Sequence, residues 1–263
     1  MVFAIVLAIF VIAGIYLVKR TKPKPVQPFP EHWHNMLKEH VNYYNKLSGP
    51  RQSNFRKRLM QFLSEVYIEG VGTEVDDLDR LLIACSAVIP VFGFKEWHYN
   101  NLSSVLLYPD HFDEDLQFNN QAENRNIGGL VGTGRYEKQM ILSKTALHHG
   151  FSNKSDKSNT GIHEFVHLID KMDGITDGLP ERLIPHQYAM PWLELIHSEM
   201  EAINNDESDI RSYGATNQAE FFAVVSEYFF ERPELLRKKH PEIYKMLSGF
   251  FKQDNIKQLD TSQ

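Results

Sequence analysis

The chain has 263 residues, 42% of them hydrophobic and 24% charged, with a formal charge of −6; this is the composition of a globular protein. Its acidic balance argues against a phosphate-backbone binder, so no direct nucleic-acid partner is expected. A single cysteine, Cys85, excludes an intramolecular disulfide framework and a cysteine-rich zinc knuckle, whereas 12 histidines leave metal chemistry open.

Val2 to Val18 is apolar and uncharged, and Lys19, Arg20, Lys22 and Lys24 follow it. At the helical rise that run spans about 26 Å, the short end of a bilayer crossing. It lacks the basic start of a signal peptide, and Ile15-Tyr16-Leu17-Val18 is too bulky for a cleavage site. The basic residues on its C-terminal side favour retention in the cytoplasm. The expectation is a transmembrane anchor at 1–18, single-pass in the inner (plasma) membrane, with the body on the cytoplasmic face. Pro23, Pro25, Pro28 and Pro30 predict a stiff linker over 19–30. The body then spans 31–255, and 256–263 is a polar tail.

Within the body, apolar spacing predicts amphipathic helices over Glu31–Lys46 and Ser53–Glu65. Val66-Tyr67-Ile68 reads as a short strand, Asp76–Ile89 as a helix ended by Pro90, and Val105–Tyr108 as a buried strand. The polar, glycine-containing stretch from Asn119 to Gly134 reads as a loop. Its Gly129–Arg135 segment matches no phosphate-binding fingerprint. Gln139–Leu142 is a further strand and a candidate edge for an extended substrate, followed by a turn of helix through His148 and His149. Helices are expected over Asn159–Met172, Pro191–Ile203, Asn217–Glu231, Pro233–Lys239 and Pro241–Phe251. Short strands early and long helices late make an α+β fold, with a small sheet and a helical C-terminal half.

The chemistry concentrates at His163-Glu164-Phe165-Val166-His167. Histidines four apart on a helix present both imidazoles to one point, and the intervening Glu164 reaches a water held there. This H-E-x-x-H spacing predicts a Zn2+ site, because two histidines facing an apolar interior need a partner. A catalytic zinc takes a third protein ligand and keeps an open position for water. Asp173 and Glu220 are the candidates. Glu220 is favoured because it starts an apolar helix through Phe230, where a buried carboxylate needs a metal or a donor. For Asp173, the sharp turn between it and His167 normally requires a glycine where Asp170 stands, leaving both acids as supporting groups. Glu227, seven residues beyond Glu220, reads equally as an orienting partner for a histidine or as a surface charge.

The runs His163–Gly174 and Tyr213–Phe230 resemble the Mlc titration factor family of glucose-regulated metallopeptidases, with weaker support from Ile68-Glu69-Gly70 and Val105–Pro109. The resemblance implies a zincin-like metallopeptidase domain with His163, His167 and Glu220 as metal ligands and Glu164 as catalytic base. It also implies that Tyr213 stands beside the scissile carbonyl. The expected activity is zinc-dependent hydrolysis of a peptide or protein substrate, of an aminopeptidase-like and regulatory kind. The alternative is a regulatory protein of the same fold that sequesters a transcriptional repressor with little catalysis.

Overall fold

The computed structural model describes residues 25–118, 125–153 and 156–254. Helices α1 (Trp33–His40) and α2 (Asn42–Asn45) come from the single helix expected over 31–46. The break falls at Val41, whose backbone is extended (φ −116°, ψ 90°). Helix α3 (Gly49–Glu65) starts earlier than expected, because Pro50 fits the first turn, where a missing N–H is harmless.

Strand β1 (Tyr67–Gly70) leads to α4 (Asp77–Val91). Asp76 accepts the Asp79 N–H, and Asp79 accepts the Asp76 N–H in return, a capping box that starts α4 sharply. The helix runs through Pro90 to Val91 instead of stopping at Ile89. Carbonyls at its end also accept from the Gln253 amide, which donates to Ile89 O (2.9 Å) and Pro90 O (3.2 Å). Gln253 is itself buried, and the Tyr43 hydroxyl donates to its Oε1 at 2.5 Å.

Strands β2 (Ser104–Tyr108), β3 (Gly129–Val131) and β4 (Gln139–Ser143) complete a mixed sheet of order β1-β2-β4-β3. The first three in that order are parallel, and β3 is antiparallel to β4. Gln139–Leu142, expected as a candidate edge, is therefore interior. The edge is β3, within the segment expected to be a loop. The N–H of Ser143 bonds Gly128 O and that of Gly132 bonds Gln139 O. By the antiparallel alternation, the backbone groups of Gly129 and Val131 point away from β4.

Helices α5 (Lys144–Ser152), α6 (Thr160–Asp170), α7 (Ala189–Asn204), α8 (Gln218–Glu231), α9 (Pro233–Lys239) and α10 (Pro241–Phe250) follow. Helix α6 lies between α4 and α8. Phe165, Phe221, Phe222 and Phe229 are fully buried in this core, each contributing about 1.5–3 kcal/mol of apolar burial. Trp192 of α7 meets Phe221, Phe222 and Phe250 edge-on or tilted and donates its Nε1–H to Gly178 O.

One expectation needs correction. Among the described residues no helix is long and apolar enough to cross a membrane. The apolar helix α4 has 15 residues and lies inside the protein core, and α3, with 17, carries charged residues on its outer side. The anchor assigned to 1–18 lies outside the described residues. The described residues form an α+β fold in which no helix spans a membrane, and the single-pass inner-membrane placement is withdrawn.

Helix α6 approaches α4 at Gly161, where an added Cβ would lie 2.1 Å from Ser86 Oγ and 2.9 Å from Ser86 Cβ. Ser86 is fully buried and donates to Leu82 O, so it has little room to retreat. Gly161→Ala should lower the unfolding free energy by about 1–3 kcal/mol, the usual effect of overpacking, as read from urea unfolding. An unchanged midpoint would mean that the two helices can separate freely.

Candidate metal centre

Asn159 caps α6 by accepting the Ile162 N–H at 3.1 Å, which fixes where the first turn of the helix begins. That phase turns His163 and His167 to the same side, with their Nε2 atoms 3.0 Å apart. Helix α8 is capped likewise by Asn217, which accepts the Glu220 N–H at 2.9 Å. Glu220 Oε2 then lies 3.1 Å from His163 Nε2 and 3.4 Å from His167 Nε2. This oxygen is buried and has no hydrogen-bond partner among the described residues despite those short distances. Three lone-pair donors thus converge on one point, with ligand atoms within 4.8 Å of one another. Two imidazoles and a carboxylate, one oxygen of it unpartnered, fit a divalent metal ion.

The acids sort clearly. Asp173 lies apart from the two histidines: its carboxylate accepts the N–H groups of Ile175 (3.1 Å) and Glu181 (3.2 Å) and closes the turn after α6. Asp170 accepts the Gly178 N–H at 2.8 Å. Glu227, left open between a surface charge and a histidine partner, is 1% exposed and accepts from His163 Nδ1 at 2.8 Å. It also accepts from the Asn159 N–H at 2.5 Å, from Ser158 Oγ at 3.3 Å and from the Arg211 guanidinium. Burial, the largest single influence, lowers the His163 pKa, but the Glu227 charge, hydrogen bonds to Glu220 and Glu227 and the Glu164 charge together outweigh it and lift the ring to about 10. A proton and a metal ion compete for the ring nitrogen that faces Glu220. Burial raises the pKa of Glu220 as well, yet its contacts with the two histidines hold it well below the usual carboxylate range.

Glu164 is buried beside β3, and desolvation raises its pKa. Gly129 makes this placement feasible, since a Cβ there would lie 2.5 Å from Glu164 Cγ and 2.7 Å from Oε1. Tyr213 sits at the rim, 52% exposed, with its ring 6.0 Å from that of His163. Partial burial and the nearby Glu220 and Glu164 charges raise its pKa, so it remains a hydroxyl. The turn that carries Tyr213 is held by Arg211, which bonds Glu227 and Ser158, and by Asp209, four residues before Tyr213. Asp209 gathers Lys157, Lys239, His240 and the Tyr228 hydroxyl. The three converging side chains, Glu164, Tyr213 and β3 line one cleft of about 790 Å³.

Sequence reasoning missed Arg211 and Gly129. Arg211 carried no sequence signal, being a lone surface-type residue in a polar stretch. Gly129 had one, since a glycine within an apolar Leu-Val run can mark a close approach of another group. His148, on α5 where a turn of helix was expected, contacts the buried Asp79 at 2.7 Å, which Lys144 also meets at 2.7 Å.

A sequence model of the family described as glucose-regulated metallo-peptidase M90 matches residues 17–252. This chain belongs to that family. Among curated relatives, Mlc titration factor A of Escherichia fergusonii is 30% identical over 255 residues, covering 92% of this chain and 93% of its own. Mlc titration factor A of Pectobacterium atrosepticum is 28% identical over 197 residues, covering 71% and 73%. An uncharacterised protein of Synechocystis sp. is 29% identical over 234 residues, covering 86% and 85%. Membership of the M90 metallo-peptidase family implies a bound metal, and the His163, His167 and Glu220 cluster is the group among the described residues that fits one.

Glu227 satisfies donors from α6, from the turn before it and from the Tyr213 strap, so the amide of Glu227→Gln must turn an N–H toward one of them. The variant should lose about 1–3 kcal/mol of unfolding free energy, measured on metal-free protein in denaturant. Wild-type stability would show that the four contacts are dispensable.

Proposed function

We propose that this chain is a zinc-dependent peptidase whose metal is held by His163, His167 and Glu220. The supporting observation is the convergence of these three side chains, with Glu164 beside them, in a cleft bordered by an open strand edge. Zinc in such a His, His, Glu set lowers the pKa of a bound water toward neutrality and polarises a carbonyl. Glu164 is the general base: its carboxylate takes the proton of the attacking water and passes it to the leaving amine. Its burial raises its proton affinity, which suits both halves of that transfer. The Tyr213 hydroxyl donates to the oxygen on which charge develops. The outward N–H and C=O groups of Gly129 and Val131 pair with the backbone of an extended peptide. Such pairing reads the main chain and leaves side-chain choice to the cleft walls.

A second reading is favoured by the name that several relatives share, Mlc titration factor A. In it the chain binds an Mlc-type repressor as partner, and the cleft or its rim is the contact surface. The two readings separate with one variant, because capture of a partner can survive loss of the base whereas hydrolysis cannot.

Purified protein should carry one zinc per chain, measured by elemental analysis. His163→Ala and Glu220→Ala should lose it, and Asp173→Ala should keep it. Loss in Asp173→Ala with retention in Glu220→Ala would reassign the third ligand.

Glu164→Gln should retain fold and zinc while peptide-amide hydrolysis falls below detection. Tyr213→Phe should slow turnover by about ten- to a thousand-fold, the range for a lost oxyanion donor. Turnover near wild type in Glu164→Gln would remove the proposed base, and an unchanged rate in Tyr213→Phe would return Tyr213 to a rim aromatic.

A further inference from the structure

Two buried polar atoms near the histidine pair have no hydrogen-bond partner among the described residues, Nδ1 of His167 and Oδ1 of Asp170. They belong to residues three apart on α6, neighbours on one face of the helix. His167 turns its Nε2 toward His163 and Glu220. With that nitrogen's lone pair directed at a metal, the neutral ring carries its proton on Nδ1, so Nδ1 becomes a buried donor. The matching nitrogen of His163 has Glu227 as its acceptor. Nothing equivalent directly meets His167.

Asp170 is fully buried, and only one of its oxygens is satisfied, by the Gly178 N–H. Gly178 has a φ of +78°, and a Cβ on it would lie 2.4 Å from Gln218 O, in the first turn of α8 that carries Glu220. The Asp170 carboxylate therefore has one oxygen on the loop that braces α8 and one oxygen free. A buried donor and a buried acceptor on neighbouring residues of one helix face, sharing no direct bond, call for one group that accepts from the first and donates to the second. Water does both.

We propose that Asp170 is a positioning residue for His167, acting through one buried water that accepts the Nδ1–H of His167 and donates to Oδ1 of Asp170. This assignment rests on the reading of His167 as a metal ligand. It makes the two histidines unequal: His163 is oriented by direct contact with a carboxylate, and His167 by a carboxylate one water away. It also ties the orientation of His167 to the loop against which the Glu220 helix rests.

The test compares wild type, Asp170→Asn and Asp170→Ala by zinc titration against a chromophoric chelator. It also records the imidazole N–H resonances of zinc-loaded protein labelled with 15N-histidine. Asp170→Ala should bind zinc about 10- to 100-fold more weakly, the usual effect of losing such a partner, and Asp170→Asn should show a smaller loss. In both variants the His167 Nδ1–H resonance should shift or exchange away while that of His163 stays in place. Asp170→Asn keeps an acceptor for the Gly178 N–H, so a residue that only staples the loop would leave affinity and resonance unchanged in this variant. That result overturns the proposal. Failure of the wild type to bind zinc would instead overturn the metal reading beneath it, and this assignment with it.

Discussion

The carboxylate of Glu227 is the point through which the candidate centre is assembled. It is buried, and four donors reach it from the first histidine, the cap of the motif helix, the residue before that cap and the strap that carries Tyr213. An isolated buried carboxylate is strongly unfavourable, so the segments must come together for any of them to settle. Arg211 supplies the opposite charge from a partly exposed position, which screens its contribution, while the backbone N–H of Asn159 supplies a donor that no side-chain substitution removes. Orientation of His163 is thereby coupled to the position of Tyr213 through a single side chain.

Two asparagine caps set the rotational phase of the two helices that meet at the centre. Asn159 and Asn217 each accept the N–H three residues on. A helix whose first turn is fixed has little freedom in where its later side chains point, and Glu220 is itself the residue whose N–H is held. The close approach at Gly161 fixes α6 in the remaining direction, against α4. Preorganisation of this kind means that the groups are already gathered before any ligand arrives.

Much of this was legible in the sequence, and the reasons it was are local. The four-residue spacing of His163 and His167 is a property of any helix, and Glu220 stood out because an acid in an apolar helix needs an explanation. The chain broke from its local reading where tertiary contacts decide. Pro90 sits inside α4 because Gln253, far away in sequence, takes the carbonyls at the helix end. The strand Gly129–Val131 has too few residues to show a period, and it exists because β4 offers it an edge. Glu227 could not be assigned from spacing, since a position on an almost wholly apolar helix does not say what packs against it. Apolar length was the weakest guide: the run near the start of the chain was read as a membrane span, whereas the apolar helix seen among the described residues is enclosed by protein.

The return of the chain to the far end of α4 has a bearing on biosynthesis. Residues are made in order, and α4, its neighbours in the sheet and the motif helix all emerge before residue 253. Until Gln253 and the nearby Phe251 carbonyl reach Pro90 and Gly93, the end of α4 lacks these partners, and Phe222 and Phe229 of α8 lack the Phe251 ring on which they stack. The core around α4 therefore stays unfinished until residues made some 160 positions later have emerged. A chain released short of that point would keep its H-E-x-x-H helix and Glu220 and still lack the seal that holds them in one body.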